Sequence, residues 1–344
     1  MNISVIIPVY NAELFVEKAI YSALAFEEVK EVVIVEDASP DKCLLICQEI
    51  AKKDLRVKVY QHPDKKNHGA GASMDYGFKL ATQDYLCILG ADDLLLPNRF
   101  DAEKEIFKKH TDAEGVYGGM GVHFYSEKGK ELFYQTFSSD LTTVFGEYDN
   151  NKAFYGLLGI YQAWKGYFSL NAFTIKRNSL TKMNYWINHE LRLHQDTEFI
   201  LRFAYYNKIY PGITEEPIAL RGVHDSNRIT SSASGYSSNK LLYENILEWY
   251  QKQDVIEDKV MNKIKGEIKI LTFLDQRKKL NLFSILNFIL CDKTLCYNER
   301  YFKMALNETK FSPKSIKTFM RIKEKIIITF FAKKKKNASF FVHD

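Results

Sequence analysis

The 344-residue chain reads as an α/β protein, a Rossmann-like, mostly parallel sheet flanked by helices, with a C-terminal helical appendage. Three observations lead there. Short β-branched apolar runs alternate with helical patterns from Ile3 to Leu89, the signature of a parallel sheet. The polar groups Tyr10-Asn11, Glu36-Asp37 and Asp92-Asp93 each follow a predicted strand. They therefore share the carboxyl edge, where an open α/β sheet places its ligand crevice. After Ser231-Ser-Ala-Ser-Gly235 the pattern changes: no proline occurs between Pro217 and Pro313, and apolar residues keep helical spacing. The expected division is residues 1–230 and residues 231–344.

Each element has its own signal. Ile3 to Ile7 is the first strand, with Pro8 as its stop. Glu13 to Phe26 carries Leu14, Val16, Ala19, Ile20, Ala23 and Leu24 at helical spacing. Glu31 to Glu36 is the second strand. Ser39-Pro40 then predicts a helix with Ser39 as N-cap and Pro40 at the first position, its apolar side built from Leu44, Leu45, Ile46 and Ile50. Val57 to Tyr60 is the third strand, followed by a helix from Gly71 to Ala81. The unbroken apolar run Tyr85 to Leu89 suits a fourth strand buried on both faces. Asp92-Asp93 at its tip are suited to hold a hard cation such as Mg²⁺ or Mn²⁺, and such cations bring phosphates. The alternative is a pair of solvated acids, one of them capping the helix after Pro97. The loop His68-Gly69-Ala-Gly71-Ala-Ser73 enters a helix and exposes backbone N–H groups that can face a diphosphate. In the appendage, Leu242, Ile246 and Trp249, then Val260, Ile264, Ile268 and Leu271, mark two helices.

Composition narrows the function classes. Hydrophobic residues at 46% and charged residues at 26% describe a globular chain. A net charge of +5 is too modest to argue for a nucleic-acid partner. The five cysteines are odd in number and form no C-x-x-C pair, so buried reduced thiols in a cytoplasmic protein are expected rather than disulfides or a zinc site. No signal peptide is expected, and no apolar run approaches the ~20 residues of a membrane span. Pro8-Val-Tyr-Asn-Ala-Glu13 stands where a nicotinamide-binding G-x-G-x-x-G would follow the first strand, and the P-loop pattern is absent. A nucleotidyltransferase on a similar sheet is disfavoured because no basic, Gly-rich segment follows that strand. The middle aromatics Tyr148, Tyr155, Tyr161, Trp164 and Tyr167 read mainly as core packing. Leu280 to Cys291 reads as a core helix. Pro313 to Lys336 interleaves basic and apolar residues, either as a solvated tail or as a helix lying on anionic lipid. The appendage can pack on the first domain, make a homodimer contact, or shape an acceptor site.

The N-terminal motifs resemble family 2 glycosyltransferases with the GT-A fold. The matching residues are Ser4-Val-Ile-Ile-Pro-Val-Tyr-Asn11, Val35-Glu-Asp-Ala-Ser-Pro-Asp41, Asn67 to Ser73 with Gly77, Tyr85 to Asp93, and Pro97-Asn-Arg99. Gln195-Asp-Thr-Glu-Phe-Ile-Leu-Arg202 looks like the family's acidic catalytic segment, and Arg221-Gly-Val-His224 with Ser226 is similar to its late Arg-x-His element. The resemblance implies inverting transfer of a sugar from a nucleotide-sugar donor, with Mn²⁺ or Mg²⁺, to a glycan or lipid-linked acceptor in cell-surface polysaccharide or glycoconjugate assembly. It places the protein in the cytoplasm, on the inner face of the membrane if the tail binds lipid. It implies that Pro8 and Tyr10 line the nucleoside pocket and that Asp37 hydrogen-bonds the base. Gly69 belongs to the donor loop, and Asp92 holds the metal on the diphosphate with Asp93 beside it. Asp196 is the general base, and His224 assists the metal or the diphosphate. Inverting transfer needs one base for the acceptor proton and positive charge on the departing diphosphate, which these roles supply. Three positions depart from the family. Gly90 and Met74-Asp75 stand where it often has Asp and Arg-Asn, and Gln195 stands where it often has Glu. A nearby carboxylate raises a partner's pKa, so Gln195 leaves Asp196 less perturbed. The same departures make a catalytically silent sugar-nucleotide-binding subunit the alternative reading.

Overall fold

The structure, a computed structural model, describes residues 1–275 except 147, 226 and 228–234. Ser226, Cys291, Cys296, Leu280 to Cys291 and Pro313 to Lys336 lie outside the described residues. The chain divides into two compact units, Met1–Ser234 and Gly235–Asp344.

The first unit alternates as expected: β1 (Ile3–Val9), α1 (Val16–Leu24), β2 (Val29–Glu36), α2 (Cys43–Lys53), β3 (Val57–Gln61), α3 (Ala70–Leu80) and β4 (Tyr85–Ile88). Then come β5 (Leu94–Leu95), α4 (Asp101–Lys109), β6 (Gly115–Tyr117), β7 (Gly119–Phe124), α5 (Glu127–Thr136), β8 (Val144–Gly146), α6 (Ala153–Leu157) and β9 (Trp164–Gly166). β10 (Phe173–Lys176), α7 (Gln195–Tyr206), β11 (Ile209–Pro211) and β12 (Pro217–Val223) complete it. The main sheet has seven strands in the order β11-β6-β10-β4-β1-β2-β3. β1 runs parallel to both β2 and β4, β2 to β3, and β6 to β11, while β10 runs antiparallel between β4 and β6. The chain thus reverses direction of growth at β1, with β2 on one side and β4 on the other. The core of this sheet is its run of Val and Ile: Ile3, Val5, Ile7, Val9, Val32 and Ile34 are all fully buried.

Four details differ from the sequence reading. Pro8 does not stop β1, which pairs with β2 as far as Val9. Even-numbered residues of β1 face β4, as the bond from Leu89 N–H to the Ile6 carbonyl records. Pro8 therefore turns its missing donor toward β4 beyond that strand's last residue, where no ladder bond is lost. Second, α2 starts at Cys43, and Ser39 does not cap it. The Asp41 carboxylate takes that role, accepting from Cys43 N–H at 3.0 Å and from Glu13 N–H at 2.9 Å. Third, the buried side of α2 is Cys43, Cys47 and Ile50, while Leu45 is 62% exposed; Leu14, which falls before α1, is 75% exposed. Cys43, Cys47 and Cys87 are free thiols in the interior, as expected of reduced cysteines. Burial pushes Cys43 and Cys47 up to about 12, which keeps them unreactive. Fourth, a second sheet of order β5-β12-β7 stands beside the first. Its members come from distant segments and β5 has only two residues, so no local pattern announces the sheet. It carries the chain from Asp93 into β5 and delivers His224 at the end of β12.

The second unit contains α8 (Tyr236–Tyr250) and α9 (Asp258–Asp275), which pack on each other. Leu242, Ile246 and Trp249 are buried on α8, and Val260, Ile264 and Leu271 on α9, as their spacing predicts. Ile268 is only partly buried.

Candidate functional site

The acids after β4 do two different things. Asp92 points outward. Its Oδ2 lies 3.3 Å from His224 Nε2 and accepts from Asn227 Nδ2 at 3.0 Å. The His224 ring is fixed by stacking on Phe15, 4.5 Å between centroids with an 18° tilt. Asp93 turns inward and is 6% exposed. Its Oδ1 accepts from Gly222 N–H at 2.8 Å, and its Oδ2 accepts from Asn171 Nδ2. Burial, and next the charge of Asp92, raise its pKa well above the ordinary carboxylate range, against the hydrogen bonds from Gly222 and Asn171. The expectation of Asp93 as a metal ligand beside Asp92 is corrected accordingly. Both of its oxygens are taken by protein donors, and it serves as the bracket that fixes the Asp92 turn. Neither acid caps α4, whose N-cap is Phe100.

The same bracket explains Gly90. A Cβ at this position would run into the Asp93 carboxylate and stand 3.1 Å from Asp92 Oδ1. A side chain at position 90 requires the Asp93 carboxylate to move from its inward seat. Gly222 is forced as well, because a Cβ there would strike the Asp92 carbonyl and the Tyr125 ring.

Two donors, Asp92 Oδ2 and His224 Nε2, fit adjacent positions on one divalent cation. Metal–ligand distances of roughly 2.1 Å put neighbouring octahedral ligands about 3 Å apart, close to the 3.3 Å between these atoms. Among the described residues no group of three or more His, Cys, Asp or Glu gathers for a metal. A cation held here would take its other ligands from phosphate oxygens and water, as Mg²⁺ ordinarily does. The Tyr125 hydroxyl is buried with no hydrogen-bond partner, and burial, then Asp92 and Asp93, push it up to about 12.

Asp37 is 2% exposed and fully engaged. Its Oδ1 accepts from His68 N–H at 2.7 Å, and its Oδ2 accepts from Gly69 N–H at 2.7 Å and Asn67 Nδ2 at 3.0 Å. The role of base acceptor expected for Asp37 is corrected: its carboxylate is the clamp that shapes loop 67–69. Gly69 likewise spends its N–H on Asp37 rather than presenting it outward. Tyr10 is 51% exposed at the tip of β1, beside the partly buried Pro8, and offers an open aromatic face.

Asp196 stands in the first turn of α7, exposed, one residue after the helix begins. Phe199, Ile200 and Phe203 face the core, as expected. Glu198, which the sequence leaves unassigned, is fully buried: its oxygens hold Arg202 Nε at 2.6 Å and Nη2 at 2.7 Å, and Tyr185 donates at 2.9 Å. The residue before α7, His194, is left-handed with φ 64°. Among the described residues the other non-glycine residues of positive φ are Asn11, Ala38 and Lys65. Those three follow β1, β2 and β3, so this strain, about 1–2 kcal/mol each, is gathered along the carboxyl edge.

The sequence reading missed Asn227, Asn171, Gly222 and Tyr125. Asn227 had a signal, being three residues past His224. The others act through strands paired only in the tertiary fold. A cavity of about 460 Å³ lined by Lys79, Asp84, Arg177 and Trp186 lies at the opposite edge, where β4 begins, and has no part in this cluster.

Comparison with known proteins supplies the relatives. The family described as "Glycosyl transferase family 2" matches residues 4–179. The "Minor teichoic acid biosynthesis protein GgaB" of Bacillus subtilis (strain 168) is 36% identical over 115 residues, which cover 32% of this chain and 12% of that protein. An "Uncharacterized glycosyltransferase" of Haemophilus influenzae is 34% identical over 103 residues, 29% of this chain and 40% of that protein. The chain thus spans well under half the length of these relatives. The S. aureus TarS 1–349 crystal structure in complex with UDP-GlcNAc matches with a TM-score of 0.59 at 18% identity, over 88% of this chain and 83% of that one. That likeness concerns the fold.

Proposed function

The chain belongs to glycosyl transferase family 2, and from that premise we propose that it moves a sugar from a UDP-linked donor to a hydroxyl of a glycan or lipid-linked acceptor, with inversion at the anomeric carbon. The observation that carries this reading is the convergence of Asp92 and His224 on the carboxyl edge, from β4 and β12, within 3.3 Å. The names of two matches support the donor and the setting: a protein of teichoic acid biosynthesis and a structure holding UDP-GlcNAc. Cell-surface polymer assembly at the inner face of the membrane is the corresponding place for this chain.

Each residue has a task in that reaction. Tyr10 and Pro8 receive the nucleoside, Tyr10 by stacking. Asp37 keeps loop 67–69 in its shape while the diphosphate sits on the same edge. Asp92 and His224 hold Mn²⁺ or Mg²⁺, which neutralises charge on the leaving diphosphate when bound. Asp196 takes the proton of the acceptor hydroxyl as its oxygen bonds to the anomeric carbon. The bond from that carbon to the diphosphate oxygen breaks, and its electron pair leaves with the nucleoside diphosphate. With one base and no protein nucleophile, a single displacement inverts the centre. The test is turnover of a panel of nucleotide sugars with Mn²⁺, read as released UDP. Release stimulated by metal is expected; donor binding without any turnover would instead identify a silent binding subunit.

A further inference from the structure

Segment 189–195 rests on the start of α3 through three contacts. His189 Nε2 lies 3.5 Å from Asp75 Oδ2, which also accepts from Lys79 Nζ at 2.6 Å. Arg192 Nη1 donates to the His68 carbonyl at 3.2 Å and sits 2.7 Å from where a Cβ on Gly69 would stand. The terminal atoms of Gln195 all fall within 2.7 Å of where a Cβ on Gly71 would stand, while its Nε2 bonds back to the Leu191 carbonyl. Gly69 has φ 87° and Gly71 lies inside a helix, so the first glycine answers to backbone shape as well. The second is required only by the Gln195 side chain above it. Two glycines of one loop are therefore the seats of two side chains from a segment far along the chain.

Asp196 follows Gln195 directly at the first turn of α7. We infer that Arg192 and Gln195 are positioning residues that seat the base-bearing end of α7 on loop 67–71, so that ordering of this loop by the donor nucleotide is transmitted to Asp196. This rests on the reading of loop 67–71 as donor-binding and of Asp196 as the base. It ties the two halves of the glycosyl transfer together: the base reaches its working position when the donor loop is in its bound shape. It also gives Gln195 a task that a carboxylate at this position would share, since Glu has the same length and shape.

The test uses the full chain with UDP and Mn²⁺, followed by hydrogen exchange and steady-state kinetics. In the unaltered protein UDP slows exchange in residues 67–73 and also in 191–198. Gly71→Ala displaces only the flexible end of Gln195 and suits a helix interior, so the variant folds. It keeps the protection at 67–73 and loses that at 191–198. Gly71→Ala and Gln195→Ala each lower kcat roughly 10-fold with donor KM unchanged, as for a modest misplacement of a reacting group. Because both remove one seat, the double variant falls no further, whereas independent effects would multiply; Gln195→Glu keeps kcat within a few-fold. Protection at 67–73 with none at 191–198 in the unaltered protein, or multiplying losses, would overturn the coupling and leave the donor site standing. Absence of UDP protection at 67–73 would instead remove the donor reading itself.

Discussion

Asp37 and Asp92 are acids at strand tips on either side of β1, yet one is held inside a ring of donors and the other stands half-open. The difference lies in where their hydrogen-bond donors come from. Asp37 receives three donors from residues 67–69, whereas among the described residues Asp92 meets the side chains of His224 and Asn227, just after β12. Asp37→Ala removes three part-buried hydrogen bonds, each worth about 1 kcal/mol. A loss of roughly 2–4 kcal/mol in urea melts is expected, together with loss of UDP binding by calorimetry. Asp92→Asn should melt within a few degrees of the unaltered protein yet lose roughly 100-fold of its metal-stimulated turnover; normal turnover would remove the metal role. At this scale Asp92 was legible, because an apolar run ending in acids is a local pattern. The inward turn of Asp93 was not, since it depends on the Gly222 N–H of β12 and on Asn171 in the turn before β10. Glu198 could have been found: Arg202 sits four residues on, the spacing of a helical ion pair.

Among the elements, α2 and α4 show how polar groups fix helix ends and anchors. Burial raises the Asp41 pKa, but hydrogen bonds from Ser39, Cys43 and Glu13 outweigh it and hold the carboxyl at about 2, below its ordinary 3.8. A carboxyl depressed by folding stabilises the protein above its unfolded pKa, and that stabilisation fades as pH falls through the folded value. The stability gap between the unaltered protein and Asp41→Asn should therefore be full above about pH 4 and close toward about pH 2, as denaturant melts across that range would record. Arg99, just before α4, and Glu103 in its first turn form a fully buried ion pair, with Arg99 also reaching Cys87 Sγ at 3.2 Å. Arg99→Ala leaves Glu103 buried alone and should cost about 3–5 kcal/mol, most of it recovered by a paired apolar replacement of both residues. The alternating strands and helices of the first half were legible because each apolar run is bounded by its own turn residues. The start of α2 was misjudged because Ser39 and Pro40 mimic a cap, while the side chain that caps is Asp41. The β5-β12-β7 sheet was illegible because strands as short as Leu94–Leu95 carry no period.

For the molecule as a whole, ligand binding and stability are linked. UDP or a UDP-sugar at a hundred times its Kd, with Mn²⁺, should add about 2.7 kcal/mol. That corresponds to a rise of roughly 5–10 °C in the melting temperature of a domain this size; no shift with any nucleotide would count against the donor site. The outline of the first unit and the helices α8 and α9 of the second were readable, the latter because Leu242, Ile246 and Trp249 hold one helical stripe without help from elsewhere. Pro8 has a consequence that reaches the whole sheet. Parallel strands tend to zip for as long as donors and acceptors face one another. β1 continues with β2 to Val9, but toward β4 its pairing ends at Ile6. With a ring nitrogen in place of the next donor, the seam between β1 and β4 has no means of closing further. The two halves of the sheet thus part at a backbone position that has no proton to offer, a fork written into the chain itself.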